Sequence, residues 1–425
     1  MMACNTMTDT SALAQALLCE IRDATRDGLG VTRDGLGVTR ESYGEGETAA
    51  LRILEERATD LGLSHEWDRA GNLWLSLPEE NRTEPYVVVG SHADSVPQGG
   101  NFDGLAGIVA GMLMLLQLRG RHEQAPPLRV LALRGEESAW YGKAYLGSLS
   151  LLGKLPAATL KRPHRDGAGV LSEAMSRCGA DIDAIQRAEP LLDLANVSAY
   201  LELHIEQGPV MVNRGWPVAL VTGIRGNVRH NLIRCIGETG HSGAVPRWLR
   251  KDALLAVAEL LSRMDEHWRV LLQMGMDMVM TTGICSTSAQ SHAVSVIPGE
   301  VAFSFEVRSQ DTQTLERFYT LMREECQAIE RARGVRFEFD ERLFTEPATM
   351  DASWLNRLEA AAGQDMKLER MASGAGHDAA VFANAGVPSA MVFIRNENGS
   401  HNPHEAMDIG DFLAGVDLLT RALIV

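Results

Sequence analysis

Five positions in this sequence carry side chains that bind transition-metal ions, and most of them follow an apolar run. They are His92 in Gly90-Ser91-His92-Ala93-Asp94, Asp103 in Asn101-Phe102-Asp103-Gly104, one of the pair Glu136-Glu137, His204 in Leu203-His204-Ile205-Glu206, and His401 in Gly399-Ser400-His401-Asn402-Pro403. Imidazole and carboxylate suit zinc, manganese, cobalt or nickel. Five such groups can hold two ions, and the spare carboxylate can then act as a base toward water.

Each residue alone has a plainer explanation. Asp103 at a helix start can be an N-cap. Glu136-Glu137 can be a solvated acidic turn. A His after a strand can simply be hydrogen-bonded. Spacing adds information. His92 and Asp94 fall on the same side of an extended segment, so His92 can ligate while Asp94 fixes its tautomer. Adjacent Glu136 and Glu137 face different ways, so one can ligate and the other can be the base. Farther along, His241 in Gly240-His241-Ser242-Gly243 can donate to a developing oxyanion. Arg308 at a strand end can form a forked pair with a carboxylate. For these two, an exposed loop His and a solvated Arg are the plainer readings. Gly374-Ala375-Gly376-His377-Asp378 offers backbone amides and an imidazole.

The elements that must position these groups alternate as in an α/β protein. Strands are predicted at Leu73 to Leu77, Tyr86 to Val89, Leu128 to Leu133, Tyr200 to Leu203 and Ser389 to Ile394. Helices are predicted from Glu47 to Leu61 and from Gly104 to Leu118. Four of the strands deliver metal-type residues at or beyond their carboxyl ends, where open α/β sheets gather ligands. That shared location makes the joint reading stronger than any single motif. From Trp216 to Gly334 the pattern changes. Leu232 to Ile236 and Glu300 to Val307 are half-buried strands, with Val301, Phe303, Phe305 and Val307 alternating. Asp252 to Met264 and Thr314 to Ala332 are helical. The expected domains are 1–215, an inserted α+β domain 216–334, and 335–425 completing the first.

The 425 residues exceed one ordinary core, and 45% hydrophobic with 23% charged residues is a globular composition. A net charge of −16 argues against nucleic acid and anionic membrane partners. The six cysteines form no CxxC, consistent with reduced, cytoplasmic thiols. No signal peptide or membrane span is expected. Thr25 to Val31 repeats as Thr32 to Val38, a local duplication to which no function is assigned.

On these residues the chain resembles the dinuclear-metal amidohydrolases. That family includes N-carbamoyl-L-amino-acid hydrolase, allantoate amidohydrolase and the bacterial and yeast type of β-ureidopropionase, within the aminoacylase and carboxypeptidase superfamily. The resemblance is carried by Gly90 to Gly107, Glu202 to Val210, Gly240 to Asp252, Val296 to Arg308, Ser373 to Ala379 and Gly399 to Glu405. It implies an α/β metal-binding domain, with a mixed sheet between helices, and an inserted α+β lid and dimerisation domain. It implies that His92, Asp103 and His204 hold one ion and that Asp103, Glu137 and His401 hold the other. Glu136 would be the general base, Asp94 the support of His92, and His241 the stabiliser of the tetrahedral intermediate, donated by the partner subunit of a homodimer. Gln207, Arg308, Ser295, Gly376, His377 and Trp140 would line the substrate site.

The implied reaction is hydrolysis of a linear amide, foremost the carbamoyl group of a carboxylate-bearing ureido acid. N-acyl amino-acid deacylation or dipeptide cleavage is the alternative on the same machinery, and a non-catalytic ligand-binding homologue is the alternative outside enzymes. Departures concentrate in the pocket. Ser295 stands where relatives often have Asn, Glu306 where they have Asp, and Trp140 where they have Arg. Ala244-Val245-Pro246-Arg247 replaces Thr-Thr-Pro-Met. The metal set is intact while the pocket has drifted, and Trp140 would add an aromatic wall.

Overall fold

The computed structural model describes residues 2–27, 37–79, 84–121, 125–364 and 366–424. Most of the duplicated segment, residues 28–36, lies outside them. The chain forms two compact units: Met1–Thr222 with Thr349–Val425, and Gly223–Ala348.

The first unit is built on a mixed sheet. Its main strands are β1 (Ser64–Trp67), β2 (Leu73–Ser76), β3 (Tyr86–His92), β4 (Leu128–Leu133), β5 (Val197–Ile205), β6 (Val218–Ile224) and β7 (Ser389–Ile394). They lie in the order β1-β2-β4-β3-β5-β7-β6. The central strands β4, β3, β5 and β7 are mutually parallel. β1, β2 and β6 run antiparallel to their neighbours. β3 is buried along its whole length, as a parallel strand covered on both faces must be. Leu203 of β5 packs toward Gly415 of the helix Ile409–Ile424, while Glu202 accepts from the amide of Ala379 at the start of the helix Asp378–Ala383. Successive strand residues face opposite ways, so helices cover both faces.

The strand order puts four carboxyl ends side by side. His92 ends β3 and is paired with Leu133, the last residue of β4. His204 is paired with Phe393, near the end of β7. Both histidines are strand residues, because β3 and β5 run farther than the apolar runs predict. The helix Leu105–Leu118 follows Asp103 and packs on β3 and β4. It approaches so closely that a Cβ on Gly107 would stand 2.4 Å from the Leu203 carbonyl. Gly104 has φ 68°, and a Cβ there would meet the His92 ring at 2.5 Å, so only glycine fits beside the ligand.

The second unit carries an antiparallel sheet ordered 285–287, 300–309, 226–236, 336–339. Glu300–Ser309 alternates half-buried and buried residues along its length, as its sequence predicts. Val301, Phe303, Phe305 and Val307 form a core with Leu315 and Phe318 from the helix Thr312–Arg333 and Leu260 from the helix Ala253–Gln273. Its limits differ from the expected 216–334. Val218–Ile224 joins the first sheet through β7, and Arg336–Phe339 and Leu343–Thr345 pair with Gly226–Ile236. An apolar run announces a strand but not the sheet it will join. Among the described residues no helix is long and apolar enough to cross a membrane.

Candidate metal centre

The first unit brings the strand-end residues into two clusters that share Asp103. One is His92, Asp103 and His204; the other is Asp103, Glu137 and His401, and within each the potential ligand atoms lie within 4.8 Å of one another. Asp103 divides between them. Its Oδ1 is 3.1 Å from His204 Nε2 and 3.6 Å from His92 Nε2, and its Oδ2 is 3.4 Å from His401 Nε2. Glu137 Oε1 is 3.3 Å from the same His401 nitrogen.

The hydrogen bonds of the far ring nitrogens decide what these atoms present to each other. His204 Nδ1 is 2.8 Å from the Ile205 carbonyl, so that nitrogen carries the proton. His92 Nδ1 is 3.1 Å from the Asp94 carbonyl and 3.3 Å from its carboxylate, with the same consequence. In the neutral rings both Nε2 atoms are then lone pairs, and they face each other at 3.5 Å and the Asp103 carboxylate. Asp103 Oδ1 is buried without a hydrogen-bond partner. Converging lone pairs of two imidazoles and a carboxylate are what a divalent cation satisfies. The donor set therefore fits a metal.

Without a cation, protons take its place. Burial disfavours charge on Asp103, yet His204, His401 and His92 together hold its carboxyl well below the usual range. Burial opposes charge on His92 as well, and Asp103 and Asp94 reverse this and raise it well above the ordinary imidazole value. His204 is raised by Asp103 against the same penalty. His401, half exposed, is pushed up to about 10 by Asp103 and Glu137. Glu136 belongs to neither cluster. Its Oε2 is 4.0 Å from His92 Nε2, and burial, with Glu137 beside it, raises its carboxyl well above the usual range.

Asp94 ties these parts together. Besides holding His92, it accepts the amide of Glu136 at 3.0 Å, the amide of Glu137 at 3.1 Å and the Ser42 hydroxyl at 2.6 Å. The opposite side is fastened by Glu405, which accepts the amides of Phe102 and Asp103. Ser400 Oγ lies 2.6 Å from both Asp103 Oδ2 and Glu405 Oε2. Burial, and then the Asp103 charge, push the Glu405 carboxyl up to about 7. Ser42 and Ser400 carry no sequence signal of their own. Glu405 follows His401 in the same polar loop but acts on Asp103, more than three hundred positions away.

The other expected residues divide between the units. Gln207 Nε2 donates to Asp103 Oδ2 at 2.8 Å. Gln207 and His401 both have left-handed backbones, φ 64° and 60°, a conformation that is strained for a side-chain-bearing residue and common at functional sites. His377 is buried edge-on against the His204 ring, with Nε2 2.9 Å from Ser373 Oγ, and burial keeps it neutral. A Cβ on Gly376 would run into the Tyr145 hydroxyl. Asp103 does not cap its helix: Gly104 occupies the N-cap with no side-chain bond. Trp140 is not an aromatic wall. It is 2% exposed, its Nε1 donates to the Ser95 carbonyl, and its ring stacks on His164 within a small apolar cluster. In the second unit, His241 and Ser295 are neighbours, because Val296 pairs with His241 and the Ser242 amide donates to the Ser295 carbonyl. Arg308 is forked onto Glu306, Nε to Oε2 and Nη2 to Oε1, each at 3.1 Å.

Known proteins share this architecture. The description "Peptidase family M20/M25/M40" matches residues 88–424. The chain is 34% identical to an allantoate amidohydrolase of Bacillus subtilis over 388 residues, covering 88% of this chain and 89% of that protein. It is 29% identical to an N-carbamoyl-L-amino-acid amidohydrolase of a Pseudomonas species over 381 residues, covering 88% and 90%. A solved amidase of the hydantoinase/carbamoylase family from Burkholderia multivorans superposes with a TM-score of 0.84 at 26% identity, covering 97% of each chain.

Proposed function

The chain belongs to peptidase family M20/M25/M40, and from that premise we propose that it hydrolyses the carbamoyl or ureido group of a carboxylate-bearing amino-acid derivative. It is a hydrolase acting on amides, as its named relatives are. The observation that carries the hydrolytic reading is the division of labour at Glu136-Glu137, and the named relatives support the carbamoyl or ureido substrate. Glu137 faces His401 and Asp103, Glu136 stays outside both clusters, and Asp94 holds the two backbone amides in register. A purely structural metal site has no need of the second carboxylate.

In this reading His92, Asp103 and His204 hold one divalent ion, and Asp103, Glu137 and His401 hold the other, zinc, manganese, cobalt or nickel alike. A divalent ion held by these residues would supply Lewis-acid polarisation of the scissile carbonyl and a lowered pKa for water. Glu136 takes the proton from water as the new C–O bond forms. It returns that proton to the leaving nitrogen as the C–N bond breaks. A ureido acid then yields the free amine and carbamate, which decomposes to ammonia and carbon dioxide. Arg308, Gln207 and Ser295 hold the substrate. His241, supplied by a partner subunit in a homodimer, donates to the oxyanion. The second unit is the lid and dimerisation domain, and the enzyme works in the cytoplasm on a small molecule.

A panel of carbamoyl, allantoate-like, acetyl, formyl and dipeptide compounds with added Mn²⁺, Zn²⁺ or Co²⁺ tests this. Ammonia is expected from a ureido acid. Release of a carboxylic acid from N-acyl compounds with no ammonia from any ureido acid would move the assignment to deacylation.

A further inference from the structure

Arg40 is a cation with 0% exposure in the first unit. Its Nε donates to the Ala93 carbonyl at 2.7 Å. Its Nη1 donates to Asn101 Oδ1 at 3.2 Å and its Nη2 to the Asn101 carbonyl at 3.4 Å. Ala93 lies between His92 and Asp94, and Asn101 precedes Asp103 by two residues. One planar guanidinium thus joins the end of β3, at the residue after His92, to the loop that carries Asp103. Its backbone is anchored as well: the Arg40 amide donates to Ser95 Oγ and the Ser95 amide to the Arg40 carbonyl. Asn101 is held from behind by its own donation to the Leu18 carbonyl.

Burying a cation is costly unless it is compensated. Burial weakens the Arg40 guanidinium to about 10, and the fields of Glu405, Asp94 and Asp103 resist that loss, so it stays charged at neutral pH. A neutral side chain could bridge two carbonyls at lower desolvation cost. Arg adds the charge that offsets clustered carboxylates and a rigid fork that fixes a distance. Lys keeps the first property and lacks the second.

We infer that Arg40 is a positioning residue that sets the separation of His92 and Asp103, and through it the affinity of the cluster His92, Asp103, His204 for a divalent cation. This rests on the reading that the two clusters bind metal. The inference is asymmetric. Two of the three residues in that cluster, His92 and Asp103, lie within two positions of a residue bonded by Arg40, whereas in the cluster Asp103, Glu137, His401 only Asp103 does, and Glu137 is reached through Asp94.

The test titrates chelator-stripped full-length protein with Mn²⁺, following stoichiometry and affinity by calorimetry and the spin coupling of the ion pair by electron paramagnetic resonance. Single-site references are His92→Ala and His401→Ala. Wild type is expected to bind two ions with a coupled spectrum. Arg40→Lys is expected to lose about 10- to 100-fold in affinity at the cluster containing His92, with the coupling weakened, and to keep the site containing His401. Asn101→Leu leaves the bond to Ala93 in place and is expected to show the same asymmetry at about tenfold. Phe303→Leu, in the core of the second unit, is the stability control and is expected to leave both affinities unchanged. Wild-type affinities in folded Arg40→Lys, loss confined to the site containing His401, or equal weakening in the control would each overturn the inference. If Arg40→Lys does not fold, Asn101→Leu decides by the same criteria. Wild type binding no Mn²⁺ would instead overturn the metal reading, and the inference with it.

Discussion

In the first unit His92, Asp103, Glu136, Glu137 and His204 are all at most 9% exposed, and buried Asp94 holds the His92 ring and the amides of Glu136 and Glu137, while His401 is half exposed. In the second unit His241 and Ser295 are exposed and Arg308 is half-buried on a strand. The contrast is physical. A cluster of converging lone pairs works only if every member is held in place, so each change there strands a buried polar group. A group on an exposed loop can be exchanged at little cost to folding. Most of the departures that the resemblance marks fall accordingly: the five metal-type residues are intact, while Ser295, Glu306 and the stretch Ala244 to Arg247 have changed, and Trp140 is the departure that lies in the first unit. On the proposed reading, chemistry belongs to the first unit and substrate choice is free to drift in the second.

The sharpest way to break this comparison is Glu136→Gln. The amide preserves size and hydrogen bonding but cannot accept a proton from water. Turnover is expected to fall by about 10³-fold with metal content per chain unchanged. Retained activity would remove Glu136 as the base. His241→Ala comes next, with an expected loss of about 10²-fold in kcat, the scale of one oxyanion donor. Metal content measured by inductively coupled plasma spectrometry should not move. Recovery of activity in mixed dimers of the Glu136→Gln and His241→Ala chains would show a shared site, and no recovery would refute donation from the partner.

How much of this was legible without coordinates follows the same division. The strand-end groups stood out because residue type and apolar run coincide in short windows. The ladder of Val301, Phe303, Phe305 and Val307 was equally visible as a period of two. What supports the metal-type residues was not. Ser42 reaches Asp94 across 52 positions and Arg40 reaches Ala93 across 53, and no local pattern encodes such pairs. Trp140 misled for a related reason. Its standing where relatives have Arg implies a wall, but in an irregular turn the side-chain direction is set by tertiary partners, here the Ser95 carbonyl and His164. The second unit's limits differ from the expected ones because Val218–Ile224 pairs with β7, while Arg336–Phe339 and Leu343–Thr345 pair with Gly226–Ile236.

The pH dependence of metal binding probes the first unit alone. In the metal-free protein Asp103 and Glu137 push His401 up to about 10, so its ring is protonated at pH 7 and must lose that proton to ligate. Affinity at the site containing His401 is therefore expected to rise by about tenfold per pH unit below 10, with at least one proton released per chain. Calorimetry in buffers of differing ionisation enthalpy measures the release, and a count of zero would show that the His401 ring is already neutral before the metal binds. The sign for folding is opposite. A ring raised from 6.5 to about 10 stabilises the metal-free fold fully below 6.5, and that contribution disappears as pH rises toward 10. The loaded protein, whose ring is neutral throughout, should not show this decline. Melting temperatures of both forms across that window separate the two cases.

The smallest expected effect belongs to the second unit. Ser295 immediately precedes the strand Val296–Ile297 that pairs with Gly240–His241, and the resemblance places an Asn there that contacts the substrate carboxylate. Ser295→Asn restores a longer arm with two donors. One added hydrogen bond is worth about 1 kcal/mol, or roughly fivefold. The variant is expected to raise kcat/KM for carboxylate-bearing ureido acids by about that factor, mainly through KM, and to leave the corresponding carboxamides unchanged. Metal affinity and the proton count should stay at wild-type values. A change in metal binding from this exposed position would dissolve the division between the units. A gain on acid and carboxamide alike would show that Ser295 does not read the carboxylate.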